Sequence, residues 1–262
     1  MYLYEGGNAI ANAEPVNPED VLAVVQRAKL ELPQQLLKNL QADIGSAGFK
    51  TVPAGDIDLM LEAADLLKLF QTEENPKDPT LAAKQSLATY LKAKGLDANV
   101  KGRNVHCGIP YKQKATGKDK IAQVDYMVIN DVALVAPYHQ HGPRGMYNDP
   151  SFKGQQNFVL MASIAKYLGL KFDPFGASLV RRDNNEVVAR KRKDVAKILL
   201  GATAKESDLD SIKSMMTALK NDPDREGKLA QARDDQAKGL ITLPEDITPG
   251  TAAWFRKLGH NL

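Results

Sequence analysis

The chain has 262 residues, 43% hydrophobic and 26% charged, with a formal net charge of +3; this is the balance of an ordinary folded protein of one or two domains and excludes the disordered and collagen-like classes. No stretch approaches the roughly 18 consecutive apolar residues that cross a bilayer, Met1 to Glu14 lacks the basic-then-apolar pattern of a signal peptide, and the lone Cys107 permits neither an internal disulfide nor a cysteine-based zinc cluster. A cytoplasmic protein without a membrane partner is expected, and the mild positive charge suits a phosphate-bearing partner without requiring one.

The first seventeen residues carry Gly6, Gly7 and Pro15 without a clear period and read as an irregular lead. From Pro18, apolar residues at Val21, Leu22, Val24, Val25 and Ala28 fall at helical spacing, and a second helix is expected after Pro33 with Leu36, Leu37 and Leu40 on its buried face. Ile44 to Gly48 reads as a tight turn and Gly55 to Leu61 as a short strand. Helices follow at Ala63 to Phe70 and, past a polar turn at Asn75 and Pro76, at Pro79 to Ala93, where Gly95 supplies the C-terminal cap.

Asn99 to Tyr111 and Lys120 to Ile129 read as two antiparallel strands joined by the polar loop Gln113 to Asp119, lying beside the earlier strand. After the apolar run Leu134-Val135-Ala136, Tyr138 to Pro150 is rich in His, Gly, Pro and Asn and reads as a covering or functional loop. Helical spacing resumes from Gly154 to Leu168. Asn184-Asn185 marks a hairpin turn between Ser178-Leu179-Val180 and Val187-Val188-Ala189, since Asn tolerates positive φ. Helices at Asp194 to Leu200, Asp208 to Leu219 and Pro223 to Lys238 precede a tail from Leu243, with Pro244, Pro249 and Trp254, that reads as a loop and a short docking helix. The expected organisation is α+β: residues 1–150 with a mixed or antiparallel sheet and flanking helices, and residues 151–262 mainly helical with a small β-hairpin.

Function concentrates in the acids. Alternate residues of a strand point the same way, so a strand over Gly55 to Leu61 puts the Asp56 and Asp58 carboxylates on one face. Two such charges repel unless a cation lies between them, and hard oxygen ligands suit Mg2+ or Mn2+. Asp125 interrupts the apolar run Val124 to Ile129, where a buried acid needs a partner; a strand pairing beside the first brings it to the same cation. Nine residues lie between Ser46 and Asp56, and Gly45-Ser46 has the chemistry to cradle phosphate, glycine by close backbone approach and serine by its hydroxyl.

The run Ile44-Gly45-Ser46, then Asp56-Ile57-Asp58-Leu59, then Asp125 resembles the pattern of the polymerase-β-like nucleotidyltransferase superfamily, over about Asp43 to Ile129. The texture is also similar to bacteriophage-encoded members. The resemblance implies a nucleotidyltransferase-type fold and an enzyme moving a nucleoside monophosphate from an NTP to an acceptor hydroxyl (an RNA end, a protein or a small molecule) with release of pyrophosphate. It implies that Asp56 and Asp58 bind two metal ions, that Asp125 binds the catalytic one and activates the acceptor, and that Ser46 contacts the terminal phosphates. It makes the helical region after Gly154 the variable half that covers the nucleotide. The rival reading is a protein of this fold in a binding or structural role, in a phage particle or a toxin pair, with catalysis weak or lost.

Other residues carry two readings each. Arg144, in the loop with His139, His141, Gly142, Pro143 and Gly145, is either a phosphate contact or part of a solvated turn. Lys153 and Lys166 straddle the helix after that loop and are candidates to reach triphosphate. Lys112, Lys114, Lys118 and Lys120 are a steering patch or a solvated hairpin tip. Arg181, Arg182, Arg190, Lys191, Arg192 and Lys193 flank the Asn184-Asn185 turn and form the better candidate phosphate surface. His106, His139 and His141 lack a fourth ligand for zinc, and Cys107 reads as packing. No Gly-x-x-x-x-Gly-Lys or Gly-x-Gly-x-x-Gly motif supports a P-loop or dinucleotide site.

Overall fold

The computed structural model describes residues 9–42, 44–45, 47–48, 53–70, 77–139 and 155–237. Ser46, the turn at Asn75 and Pro76, His141, Arg144, Lys153 and the tail with Trp254 lie outside the described residues. The chain divides into two compact units, Met1–Pro150 and Ser151–Leu262.

In the first unit, α1 (Val21–Glu31) is followed by a single 3₁₀ turn, Gln34–Lys38, where a second helix was expected. Leu36 is buried while Leu37 faces solvent. The helix stops because the chain must extend at once: Gln41 forms an isolated antiparallel bridge with Met60. Next come β1 (Ile57–Glu62), α2 (Ala63–Phe70) and α3 (Pro79–Ala93). Local chemistry explains the bounds of α3, since the Asp78 side chain accepts from the Leu81 amide, Pro79 occupies the first turn, and Gly95 takes φ +82° just past the end.

The expected long strand from Asn99 to Tyr111 is two strands, β2 (Ala98–Lys101) and β3 (Asn104–Lys112). Gly102, at φ +59°, supplies the left-handed residue of the two-residue turn between them. The strand β4 (Asp119–Ile129) then pairs antiparallel with β3 and parallel with β1, giving a mixed sheet in the order β1-β4-β3-β2. Asp131 accepts from the Leu134 amide and opens α4 (Val132–His139), so Tyr138 and His139 belong to a helix rather than to the loop expected there.

Alternation within the strands segregates the sheet. Ile57, Leu59, Leu61, Val105, Cys107, Ile109, Val124, Tyr126 and Val128 share a core with Val24 and Ala28 of α1, Leu66 of α2, and Leu87 and Leu91 of α3. Tyr126 is fully buried there, its hydroxyl donating to the Ala28 carbonyl at 3.2 Å. Asp58, Asp125, His106 and Asn99 have the opposite parity and lie on the other face.

The second unit holds α5 (Gln155–Tyr167), a three-stranded antiparallel sheet of β5 (Leu170–Asp173), β6 (Ser178–Arg181) and β7 (Val187–Ala189), then α6 (Arg192–Leu200), a 3₁₀ turn at Glu206–Leu209, α7 (Ile212–Leu219) and α8 (Arg225–Ala237). The expected hairpin is β6-β7, with Asn185 at φ +59°; β5 was not anticipated. The helix expected over Asp208 to Leu219 is broken because Ser211 accepts from the Ser214 amide and starts α7 afresh. Lys166, a candidate for triphosphate, bonds Asp235 of α8. Among the described residues no helix is long and apolar enough to cross a membrane.

Candidate functional site

A row of polar residues crosses the sheet of the first unit. Asp58 of β1 is the register partner of Asp125 of β4, Asp125 of His106 of β3, and His106 of Asn99 of β2. Register partners on adjacent strands point to the same face and lie about 4.8 Å apart, so two acids and an imidazole stand side by side. Like charges directly opposite each other destabilise a strand pair, and the Asp58–Asp125 pair has to be offset by a positive group.

Asp125 is 4% exposed and heavily bonded. His106 Nδ1 lies 2.7 Å from its Oδ1; a carboxylate only accepts, so the proton is on that nitrogen. Gln123 Nε2 donates to the same oxygen at 2.8 Å, and Asn104 Nδ2 donates to Oδ2 at 3.3 Å. Gln123 is itself clamped, its Oε1 accepting from the Ala9 amide at 2.8 Å and the Ile10 amide at 3.3 Å. The hydrogen bond to Asp125 raises the His106 imidazole above its ordinary value; burial opposes the rise, while the Asp125 charge and a bond to the Lys101 backbone add to it.

Asp56 does not belong to β1. The ladder with β4 begins at Ile57↔Val124, and Gly55-Asp56 is the bend between that ladder and the Val16↔Ala54 bridge. The burial alternates nevertheless, with Asp56 and Asp58 half-buried around a buried Ile57.

Gly45 connects the turn to the acids. Its φ is +69°, its amide donates to the His139 carbonyl at 3.3 Å, and a β-carbon added to it would stand 2.9 Å from Asp58 Cγ, with the carboxylate oxygen nearer still. Only glycine fits against that carboxylate. Of the expected site residues, then, Gly45, Asp58 and Asp125 come together and Asp56 directly precedes them. The sequence weighs His106 for zinc alone and gives no role to Gln123 or Asn104, although Gln123 has the parity of Asp125 on the same strand.

No family model matches the chain, and no curated protein matches it.

Cys107 is fully buried on the core face, and burial pushes its thiol up to about 12, so it is packing and not a nucleophile. Lys112, Lys114 and Lys118 are exposed at the β3-β4 tip, while Lys120 pairs with Glu14 at 2.7 Å. Among the described residues no group of three or more His, Cys, Asp or Glu side chains is gathered tightly enough to cage a metal ion.

Proposed function

We propose that the chain is a metal-dependent nucleotidyltransferase, transferring a nucleoside monophosphate from an NTP to an acceptor hydroxyl with release of pyrophosphate. One observation carries this reading: Asp58 and Asp125 are register partners on adjacent parallel strands, and Gly45, the residue before Ser46, packs against Asp58.

The donor chemistry fits a divalent ion. Mg2+ is usually held by one or two carboxylates, with substrate phosphate and water completing its shell, rather than by an all-protein cage; Asp58 and Asp125, with Asp56, would hold it or Mn2+. When bound, a pair of such ions supplies charge stabilisation to the attacking and leaving oxygens. The chain's own contribution is positioning. Gln123, Asn104 and His106 fix the Asp125 carboxylate in one orientation, which would hold it in place toward an ion and an acceptor hydroxyl, and Gly45 lets the backbone come close to the Asp58 side. Ser46 and Arg144 remain candidate phosphate contacts.

A second reading has its own observation. Both oxygens of Asp125 already accept hydrogen bonds from protein donors, which favours a buried polar network that orders the sheet, in a protein of binding or structural role. Incubation with labelled NTPs, Mg2+ or Mn2+ and pooled RNA or cell extract separates the two. Label transfer by the wild type, absent in Asp56→Ala and Asp58→Ala, is the expected result; transfer undiminished in both variants refutes the enzyme.

A further inference from the structure

We infer that the β6-β7 hairpin and the start of α6 form a binding surface for an unpaired nucleic-acid strand. Between residues 181 and 197 the chain places seven basic residues against three acidic ones, a surplus of four where the whole chain has +3. Within this stretch basic residues outnumber acidic ones by more than two to one.

Part of that charge is committed to the fold. Arg181 pairs with Glu186 at 3.3 Å, Arg182 Nε donates to the Leu170 carbonyl at 2.8 Å, and Arg192 pairs with Asp210 at 2.6 Å. Arg190, Lys191, Lys193 and Lys197 are exposed, and their side chains have no ion-pair or hydrogen-bond partner among the described residues. Their position is costly to the fold, since Lys191 and Lys193 flank the first residue of α6, the end of a helix at which positive charge is disfavoured. Lys193 and Lys197 lie one helical turn apart, about 6 Å along the axis.

The sheet beside them is open on one side. Leu170, Phe172, Leu179 and Ala189 are buried on its inner face, whereas Lys171, Val180 and Val187 form a cross-strand row on the other, with Lys171 and Val187 exposed. Val187 and Val188 are 44% and 39% exposed. Cations answer a phosphodiester backbone, and the exposed valine methyls beside them give uncovered base faces an apolar surface against which to leave water. A duplex hides those faces, and a free nucleotide needs fewer charges, so a strand is the occupant that uses both features.

Fluorescence anisotropy of a labelled oligouridylate of about 20 nucleotides tests this on the full chain, without metal or NTP, so the outcome is independent of nucleotidyl transfer. The wild type is expected to bind, and four phosphate contacts predict an affinity falling on the order of 50-fold between about 50 and 200 mM salt. R190Q/K191Q/K193Q/K197Q should lose most of the affinity and of the salt dependence. K92Q/K112Q/K114Q/K118Q, which removes the same charge from the first unit, should keep both. Should the quadruple hairpin variant fail to fold, Arg190→Gln and Lys197→Gln singly should each reduce the log–log slope by about 0.7. No binding by the wild type, equal loss in both quadruple variants, or tighter binding of duplex DNA than of the single strand overturns the assignment.

Discussion

The backbone of Gly45 lies against the side chain of Asp58, so close that a β-carbon on the glycine would meet the carboxylate. This contact ties a turn thirteen residues earlier in the chain to the first acid of the sheet. Gly45→Ala must either relax the turn from φ +69° or displace Asp58, and a cost of about 1–3 kcal/mol is expected. Thermal denaturation should register it as a drop of roughly 2–4 °C per kcal/mol, with nucleotidyl transfer falling further than stability. An unchanged melting temperature would mean that the turn yields freely.

The Asp58–Asp125 pair predicts a stability that depends on divalent cations. Asp58→Asn keeps the shape of one of the two acids facing each other across β1 and β4 and removes its charge. Millimolar Mg2+ or Mn2+ should stabilise the wild type by binding the native state and do so much less in the variant. A melting temperature equally insensitive to the cations in both proteins counts against a metal at this pair.

His106 gives a pH dependence of defined sign. Its folded value lies above the ordinary 6.5 because Asp125 holds the protonated ring, so the stability it adds is complete below the unfolded value and is lost as pH rises through the raised folded one. Urea midpoints in chelator should fall across that window for the wild type. His106→Gln, which can still donate but cannot titrate, should flatten the profile; an identical slope in the variant assigns the pH dependence elsewhere.

Cys107 should be inert. With the thiol pushed up to about 12 and no exposed surface, labelling by an aromatic disulfide at about pH 8 should proceed only as fast as the chain opens. Stoichiometric labelling within seconds under native conditions would contradict its burial.

Lys228 and Asp222 form an ion pair at 2.8 Å with side chains 4% and 5% exposed. Lys228→Met leaves a buried acid without its counter-charge and should cost about 3–5 kcal/mol. Calorimetry of the variant, beside the double change Lys228→Met with Asp222→Leu, checks the cause, since the double variant should recover much of the loss.

The parts legible in the sequence are those with local signals. α2 and α3 follow from helical spacing, from Asp78 and Pro79 at one end and Gly95 at the other. β4 is plain because one acid stands in an apolar run. The β2-β3 break was hidden because Gly102-Arg103 interrupts the strand pattern by only a two-residue turn, and β5 because four residues between a helix end and a turn leave too little alternation to read. For the site, the acids and Gly45 announce themselves by type and spacing. The partners of Asp125 do not: His106 and Asn104 meet it only through the β3-β4 register, and the parallel β1-β4 pairing joins segments more than sixty residues apart, a long-range choice that no local preference encodes.

The four-stranded sheet has its helix-packed layer on one side and its acids on the other. Around Asp58, Asp125 and His106, neighbouring residues along a strand thus answer to different demands, one to cohesion and the next to the polar row, while Met60, Met127 and Ile129 extend the acids' face as buried apolar surface. A lineage carrying this sheet can exchange side chains on the charged side, altering what it recognises, while the greasy side goes on supplying the same cohesion.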